Sequence, residues 1–179
     1  MASGDGRVSL SAIDLLGLAE QKKVGRVDLA EAGYSGIVYV CDLTAAQQQQ
    51  IVGTPRRGSK VRRNDKENWT EFDLADLANN AGARFLEACL VTDKAGGDVL
   101  ERAFEAARDE DGELPGYITL PAAELVFQAE LMRAELKSAH LVREKLEQFP
   151  NAVSSLIVGT MRRLSGMDED KVEEKKENS

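Results

Sequence analysis

The sequence has few aromatic residues: Phe, Trp and Tyr make up 5% of its 179 residues, against 42% for all hydrophobic types. Its core must therefore be built mainly from leucine, valine and alanine. These side chains suit contacts between helices better than a sandwich of strands rich in aromatic pairs. Charged residues reach 30%, which is enough to cover the solvent-facing sides of many helices. The composition thus favours a helix-rich fold.

Long apolar stretches and cysteine pairs are also missing. The longest apolar runs cover only a few positions, so no membrane span is predicted. Residues 1–8 lack the apolar stretch of a signal peptide, and we expect a chain that stays in the cytosol. Cys41 and Cys89 lie in apolar surroundings without a CxxC spacing. We interpret them as small hydrophobic residues and not as a disulfide framework.

No signature of a catalytic site occurs in the sequence, so no enzyme activity, metal or cofactor is expected. The segment 53–60 resembles a phosphate-binding loop, but serine and not lysine follows its second glycine, and a helix is predicted before it. His140, the only histidine, has no partner nearby in sequence for acid–base or metal chemistry. Asp109–Glu113 begins like a calcium loop but lacks the glutamate at the twelfth position, so we predict a polar turn.

The net charge of −8 is unevenly distributed along the chain. Residues 1–70 hold 10 Lys and Arg against 8 Asp and Glu, whereas residues 71–179 hold 13 against 23. An acidic chain gains little from releasing the counterions of nucleic acid, so nucleic acid is not the expected partner. The segment 53–70 has no hydrophobic period and is predicted to be an exposed, flexible basic loop. Its basic residues are Arg56, Arg57, Lys60, Arg62, Arg63 and Lys66.

The N-terminal part of the sequence predicts a helix followed by a small β-hairpin. Ser11 can cap the helix, which is expected to end near residues 22–23. The run at 24–29 approximates a strand, the run at 37–41 is rich in β-branched and aromatic residues, and a glycine-containing turn at 33–36 lies between them. This arrangement is typical of two paired antiparallel strands.

The remaining predicted elements are helices. Thr44 and Gln47, three residues apart, match a capping box and predict a helix through Val52. Apolar residues recur at steps of three and four in four later segments. We predict helices at 70–91, 98–108, 121–149 and 151–165, a polar loop at 109–116 and a disordered acidic tail at 167–179.

The last of these helices has the clearest boundaries. Asn151 is predicted to cap it after the break at Pro150, and Ser165-Gly166 is predicted to end it. One side of the helix carries apolar residues at helical spacing. The predicted buried residues are Val153, Leu156, Ile157, Met161 and Leu164.

The longest predicted element is the helix at 121–149. Pro121 is tolerated at a first helical position, because the N–H that it lacks would have no partner there. At about 1.5 Å per residue the helix would span about 43 Å. It carries two apolar stripes and needs neighbours on both flanks, from this chain or another, so it could bind a client, pack in the core or self-associate. The candidate partner-binding residues are Leu125, Phe127, Leu131, Met132, Leu136 and Leu141.

Together these patterns predict an α+β fold that is mainly α-helical, with a small N-terminal β-hairpin, a helical body with one long helix and a disordered acidic C-terminal tail. The predicted units are residues 1–52, the basic flexible loop 53–70, the helical body 71–166 and the tail 167–179. Within the helical body, residues 94–148 have the character of a helical insertion.

Four stretches of the sequence follow one another in this order: Ser11–Leu16, Gly36–Gln48, Ala83–Asp93 and Phe149–Met167, followed by the acidic tail. Together they resemble the tail assembly chaperones of long-tailed, siphovirus-type bacteriophages. The resemblance covers about half of the chain and rests on the pattern and order of the stretches, without an invariant motif. The basic loop 53–70 and the insertion 94–148 depart from the family pattern, so no binding residue is transferred.

The resemblance implies a non-structural helper of virion assembly. Members of this family bind the tape measure protein and keep it soluble while tail-tube subunits polymerise around it. The implied chain would act in the host cell cytoplasm, bind without catalysis and be absent from the mature virion. Tape measure protein is thus the expected partner, and a homo-oligomer is compatible with the predicted long helix.

Two other functions remain open from the sequence. The chain could be a structural or connector protein that stays in the viral tail. It could also be a nucleic-acid-binding regulator that uses the basic residues at 56–66. Mass spectrometry of purified particles distinguishes the first of these from a chaperone, and the salt dependence of binding tests the second.

Overall fold

The structure is a computed structural model that describes residues 17–53, 82–93 and 98–166, together with Ser11. It contains helices and a five-stranded sheet, so the fold is α+β. The strands are β1 (Gln21–Asp28), β2 (Ile37–Cys41), β3 (Leu90–Asp93), β4 (Ile118–Pro121) and β5 (Leu125–Phe127). The helices are α1 (Ala45–Gly53), α2 (82–89), α3 (Asp98–Ala106), α4 (Gln128–Leu136), α5 (Ala139–Glu147) and α6 (Asn151–Leu164), with single 3-10 turns at Leu29–Ala32 and Ala122–Glu124.

The sheet is antiparallel and has the strand order β4-β1-β2-β3-β5. Strand β1 is the longest and pairs with two strands. Its second half faces β2, with Asp28 opposite Ile37, and its first half faces β4, with Gln21 opposite Pro121. Because β4 is an edge strand, the missing N–H of its proline costs the sheet no inner hydrogen bond.

The two edge strands are consecutive in sequence, and this fixes the shape of the sheet. Only four Cα steps separate Pro121 from Leu125, and they reach at most about 14 Å. In a flat five-stranded sheet the two edges would lie about 19 Å apart, at four strand spacings. The sheet must therefore curl until its two edges approach each other, which gives it a concave and a convex face.

Side chains from the two faces form separate apolar cores. All five strands contribute to one of them, as expected on the inner side of a curled sheet, and α3 closes it with Leu100 and Phe104. We call this the concave-face core; its other buried members are Val24, Tyr39, Cys41, Val91 and Leu125. Helices α2, α4, α5 and α6 pack on the other face. This convex-face core contains Val27, Val40, Leu43, Ala83, Phe85, Leu86, Cys89, Leu90, Ala129, Val142, Leu146, Val153, Ile157, Met161 and Leu164.

Helix α6 lies close against the sheet at Gly25 of β1. A Cβ added there would lie 3.0 Å from Leu164 Cδ1 and 3.1 Å from Thr160 Cγ2. The threonine cannot rotate away easily, because its hydroxyl donates to the Leu156 carbonyl at 3.0 Å and accepts from Arg163. The absence of a side chain at Gly25 thus permits this helix–sheet contact.

Replacing Gly25 with alanine is expected to lower the free energy of unfolding by about 1–2 kcal/mol, because the new methyl group overpacks the contact. Gly159 is the matched control on α6, since a Cβ at that position meets no atom within 4 Å. Its replacement by alanine should raise the free energy of unfolding by about 0.5–1 kcal/mol through helix propensity. Urea denaturation measures both, and equal effects of the two changes would contradict this account.

The two predicted strands pair with each other, but they do not form an isolated hairpin. Strands β1 and β2 pair antiparallel as inner strands of the five-stranded sheet. Strand β1 begins at Gln21, so the prediction that residues 22–23 end a helix was wrong; within the described residues the helix before it covers 17–19. The helix predicted to reach Val91 ends at Cys89, because Leu90–Asp93 pairs with β2 and β5.

The long helix predicted at 121–149 was wrong. Pro121 ends strand β4, and the chain then forms a 3-10 turn, strand β5 and two short helices. Lys137 divides α4 from α5 with a left-handed backbone (φ 53°), and the Ser138 hydroxyl caps α5 by accepting from Leu141 N at 3.3 Å. The segment described as a helical body therefore supplies three of the five strands. Tertiary pairing with β1 and β3 overrides the local helical pattern.

Several local predictions are confirmed. Thr44 and Gln47 form a reciprocal capping box, with bonds of 2.9 and 3.2 Å, at the start of α1. Helix α3 and the polar loop after it lie where predicted. The predicted apolar side of α6 is buried, except that Leu156 is only partly buried, and Gly166 (φ 72°) follows the end of the helix. Asn151, however, is the first helical residue, and Pro150 occupies the capping position without a side-chain bond. The predicted basic loop beyond Gly53, helix residues 70–81 and the tail 167–179 lie outside the described residues.

Candidate interaction surface

Helices α4 and α5 form a short helical hairpin that is fixed to the convex-face core. On α4 the anchoring side chains are Ala129, Met132 and Leu136, at steps of three and four. On α5 they are Val142 and Leu146. Two of the predicted partner-binding residues, Met132 and Leu136, are thus partly buried against the core and not on a free face.

A charged bridge holds the same hairpin to α2. The carboxylate of Glu87 accepts from Arg133 Nη2 at 3.1 Å and from Arg143 Nη2 at 3.2 Å. The glutamate side chain is 18% exposed, whereas both arginines are more than 40% exposed. One carboxylate therefore ties two helices to a third at the border of the core. Exposed ion pairs of this kind contribute little energy alone, but here they fix the orientation of the hairpin.

Two other predicted residues, Leu131 and Leu141, face solvent. Their exposed fractions are 48% and 41%. Each leucine lies two residues before an arginine of the Glu87 bridge, which is 200° around a helix. Because both arginines reach one carboxylate, both leucines point away from that bridge. They are the apolar positions that this hairpin offers to a partner.

The last two predicted residues lie elsewhere. Leu125 is buried in the concave-face core, and Phe127 packs against it. They belong to strand β5, on which they occupy one side because strand side chains alternate. The six candidate residues therefore do not form one surface: two pack under α3, two under the helical hairpin, and two are exposed.

A second polar cluster pins α3 to the sheet. Arg26 of β1 donates to Glu101 of α3 through Nε at 3.2 Å and Nη2 at 3.3 Å, and the Tyr39 hydroxyl donates to the same carboxylate. The Tyr39 ring stacks on Phe104 with centroids 5.9 Å apart. We call Arg26, Tyr39 and Glu101 the clasp. It joins residues far apart in the chain across the border of the concave-face core.

The electrostatics of the clasp keep its charges fixed. The hydrogen bond from Tyr39, and then that from Arg26, lowers the pKa of Glu101. Burial and the bond to Glu101 raise the pKa of Tyr39, and the bond to Glu101 raises that of Arg26. Near neutral pH the cluster thus holds a carboxylate, a guanidinium and a protonated phenol. None of the three is poised for proton transfer near neutrality, so the cluster suits holding α3 and not acid–base chemistry.

The start of α3 is fixed by a buried carboxylate at the end of β3. Asp93 is 6% exposed, and its Oδ2 accepts from the backbone N–H groups of Val99 and Leu100, each at 3.0 Å. A negative charge at a helix N-terminus also interacts favourably with the helix dipole. Strand β3 and the clasp on β1 therefore hold α3 from two sides.

Replacing Glu101 with glutamine is expected to lower the free energy of unfolding at pH 7 by about 1 kcal/mol, since the side chain is partly exposed and solvent weakens the lost charge. The pKa of Glu101 is lower when folded than when unfolded, so its contribution is complete above the ordinary glutamate pKa of about 4.3. It is lost as the pH falls further through the folded-state pKa. The difference between wild type and variant should therefore shrink towards pH 3 in chemical denaturation, and a constant difference would contradict the prediction.

The remaining residues considered from the sequence have local roles. His140 is exposed, and its Nδ1 lies 3.9 Å from a carboxylate oxygen of Glu144. Asp109 closes its own polar turn by accepting from the backbone N–H groups of Asp111 and Glu113. Both cysteines are free and buried; burial raises the pKa of Cys41 to about 11 and also raises that of Cys89. Thiols in this state are poor nucleophiles.

The sequence patterns do not predict the two polar clusters, which are the Glu87 bridge and the clasp. Arg26 and Glu101 are 75 positions apart, and Glu87 is 46 and 56 positions from its two arginines. No periodic or motif-based rule links charges at such distances. The one available signal was the opposite charge of residues on elements that later pack together.

Within the described parts of the chain, no group of three or more His, Cys, Asp or Glu side chains is placed to hold a metal ion. None of the helices in those same parts combines the length and apolar character needed to cross a bilayer. Comparison with protein-family models, with curated proteins and with solved structures finds no match to this chain.

Proposed function

We propose that this protein is a tail assembly chaperone of the siphovirus type, which binds the tape measure protein and keeps it soluble while the tail tube polymerises. It acts by reversible contact, without catalysis, in the host cell cytoplasm, and it leaves before the virion is complete. The proposal starts from the resemblance of its four sequence stretches to that family. Binding by contact alone needs apolar side chains that are held in place but remain accessible.

One observation supports this proposal: the helical hairpin α4–α5 holds Leu131 and Leu141 in solvent while its other side is fixed. Core packing by Met132 and Leu136 and the bridge to Glu87 order the hairpin before any partner arrives. A preordered surface loses less conformational entropy when it binds. Two half-exposed leucines can each contact an apolar helix of a client.

The proposal is tested by co-expressing this chain with the tape measure protein of the same genome and measuring the client in the soluble fraction. Wild type should keep the client soluble. The double variant Leu131→Asp/Leu141→Asp should lower the soluble fraction at least about tenfold, because it removes two apolar contacts and inserts charge at the interface. Circular dichroism should show that the variant stays folded, since both side chains face water.

Leu18→Asp is the matched control for this experiment, because Leu18 is 55% exposed and lies outside the hairpin. This variant should keep as much tape measure protein in the soluble fraction as wild type does. If the folded double variant retained full activity, these two leucines would not be the binding surface. If wild type itself failed to solubilise the tape measure protein, or remained in purified virions by mass spectrometry, the chaperone function itself would be refuted.

A further inference from the structure

Within residues 17–53, 82–93 and 98–166, the two faces of the curled sheet are covered by unequal numbers of helices. Helices α2, α4, α5 and α6 pack on the convex face, and α6 alone buries five residues there. On the concave face the only described helix is α3, which has nine residues and buries two of them, Leu100 and Phe104. The loop after α3 adds Leu114 at the margin. All five strands thus direct apolar side chains towards a face that, among the elements the structure describes, one short helix closes.

Helix α3 contacts the sheet in the way that a bound amphipathic helix contacts a groove. Leu100 and Phe104, four residues apart, enter the apolar face together. Glu101, next to the first of them, reaches sideways to Arg26 and to the hydroxyl of Tyr39 at the border of that face. A short helix of this size is not stable in water by itself and depends on such contacts. Elements with few buried contacts are those that open before the rest of a protein unfolds.

We propose that α3 is a displaceable cover and that the concave face beneath it is a second binding groove, for an amphipathic helix of another protein. The groove accepts two apolar side chains at positions i and i+4 with an acidic side chain at i+1, the pattern that Leu100, Glu101 and Phe104 present. Tyr39, Val91 and Leu125 form its floor. Arg26 selects the acidic residue, because a guanidinium without its carboxylate at the edge of an apolar face would lose its charge partner.

This inference does not rest on the proposed chaperone function, since the groove is distinct from Leu131 and Leu141. A partner helix competes with α3 for the same side chains. The covalently attached α3 has the advantage of high effective concentration, so a free helix binds only weakly until the clasp is loosened. Weakening the clasp in the protein, without removing Arg26, should therefore increase the affinity of the protein for a separate helix.

The test uses the full-length protein and a dye-labelled peptide with the sequence of residues 98–108 as the probe, with fluorescence anisotropy as the measurement. Glu101→Gln in the protein weakens its own α3 and leaves Arg26 free for the glutamate of the peptide. The variant should bind the peptide at least about fivefold more tightly than wild type. The reason is that the state in which its own α3 covers the concave face is less populated. Hydrogen exchange should show faster exchange in α3 of the variant when the peptide is bound.

Two controls make the result specific. A peptide carrying Leu100→Asp should not bind, since it cannot fill the apolar floor. The protein variant Arg26→Gln/Glu101→Gln should lose the gain of the single variant, because no guanidinium remains for the peptide. Absence of peptide binding to a folded Glu101→Gln protein, or equal binding of the Leu100→Asp peptide, would overturn the proposal. Neither outcome depends on the tape measure protein, so failure here and failure of the chaperone function are distinguishable.

Discussion

Replacing Ile157 with alanine is expected to lower the free energy of unfolding by about 2–5 kcal/mol. Ile157 is fully buried at the middle of α6, in the core between this helix and the convex face of the sheet. The substitution removes three carbon atoms and leaves a cavity that helix and sheet, tied together at Gly25, can close only partly. Urea denaturation should show a lower midpoint with an unchanged slope.

Ser155→Ala is the control for this prediction, since it lies two residues away on the exposed side of the same helix. Its effect should stay within about 0.5 kcal/mol. A loss below about 1 kcal/mol for Ile157→Ala would mean that α6 does not pack on the sheet as described. A lower slope would instead indicate that the variant no longer unfolds in one step.

Replacing Leu136 with aspartate is expected to destabilise the protein by about 3 kcal/mol, because the change removes apolar burial and places a charge at the edge of the core. Leu136 is the last residue of α4 and packs against the convex-face core. A negative charge at a helix C-terminus is also unfavourable for the helix dipole. Thermal unfolding should show a clearly lower midpoint temperature for the variant, independently of any binding assay.

Leu131→Asp provides the comparison on the same helix, since Leu131 is about half exposed. It should change the free energy of unfolding by less than about 1 kcal/mol. The two variants together separate a core residue from a contact residue five positions apart. If Leu136→Asp were as stable as Leu131→Asp, α4 would not be anchored by Leu136, and the preordered hairpin invoked for client binding would lose its basis.

The elements that could be predicted from the sequence are those whose signals are local. The capping box of Thr44 and Gln47 depends on two side chains three residues apart, and it forms as predicted. The apolar spacing of α6 and its end at Gly166 are likewise local features. The run of β-branched residues in β2 fits no helix well, so its strand could be identified.

The sequence does not predict strands β3, β4 and β5, and the reason is the same for all three. The three-residue strand β5 is apolar throughout and the four-residue strand β3 begins with two apolar residues, so both short segments fit a buried helix equally well. Pro121 was assigned to a helix start, although an edge strand is the other position that tolerates proline. Only pairing with strands distant in the chain decides between these alternatives. Sequence periodicity contains no information about that pairing.

The candidate partner-binding residues show the same limit at the level of single side chains. Met132 and Leu136 fit one apolar stripe of a single long helix, and Leu131 fits a second stripe. The turn at Lys137 and the strand at 125–127 divide that helix, so Leu141 and the pair Leu125 and Phe127 lie on separate elements. The Ser138 cap was a local signal for this break that sequence analysis overlooked. Exposure could not be assigned without knowing which helices cover which face.

The placement of both edge strands in one short stretch, 118–127, has a consequence for biosynthesis. The ribosome delivers the three inner strands first, and they have bare edges until this stretch emerges. Pairing of Gln21 with Pro121 then closes a loop of about 100 residues, which is an entropically slow step. Unpaired strand edges promote aggregation. Nascent chains of this protein should therefore be most vulnerable just before residues 118–127 emerge from the ribosome, and slower translation in that interval would lower the yield of folded protein.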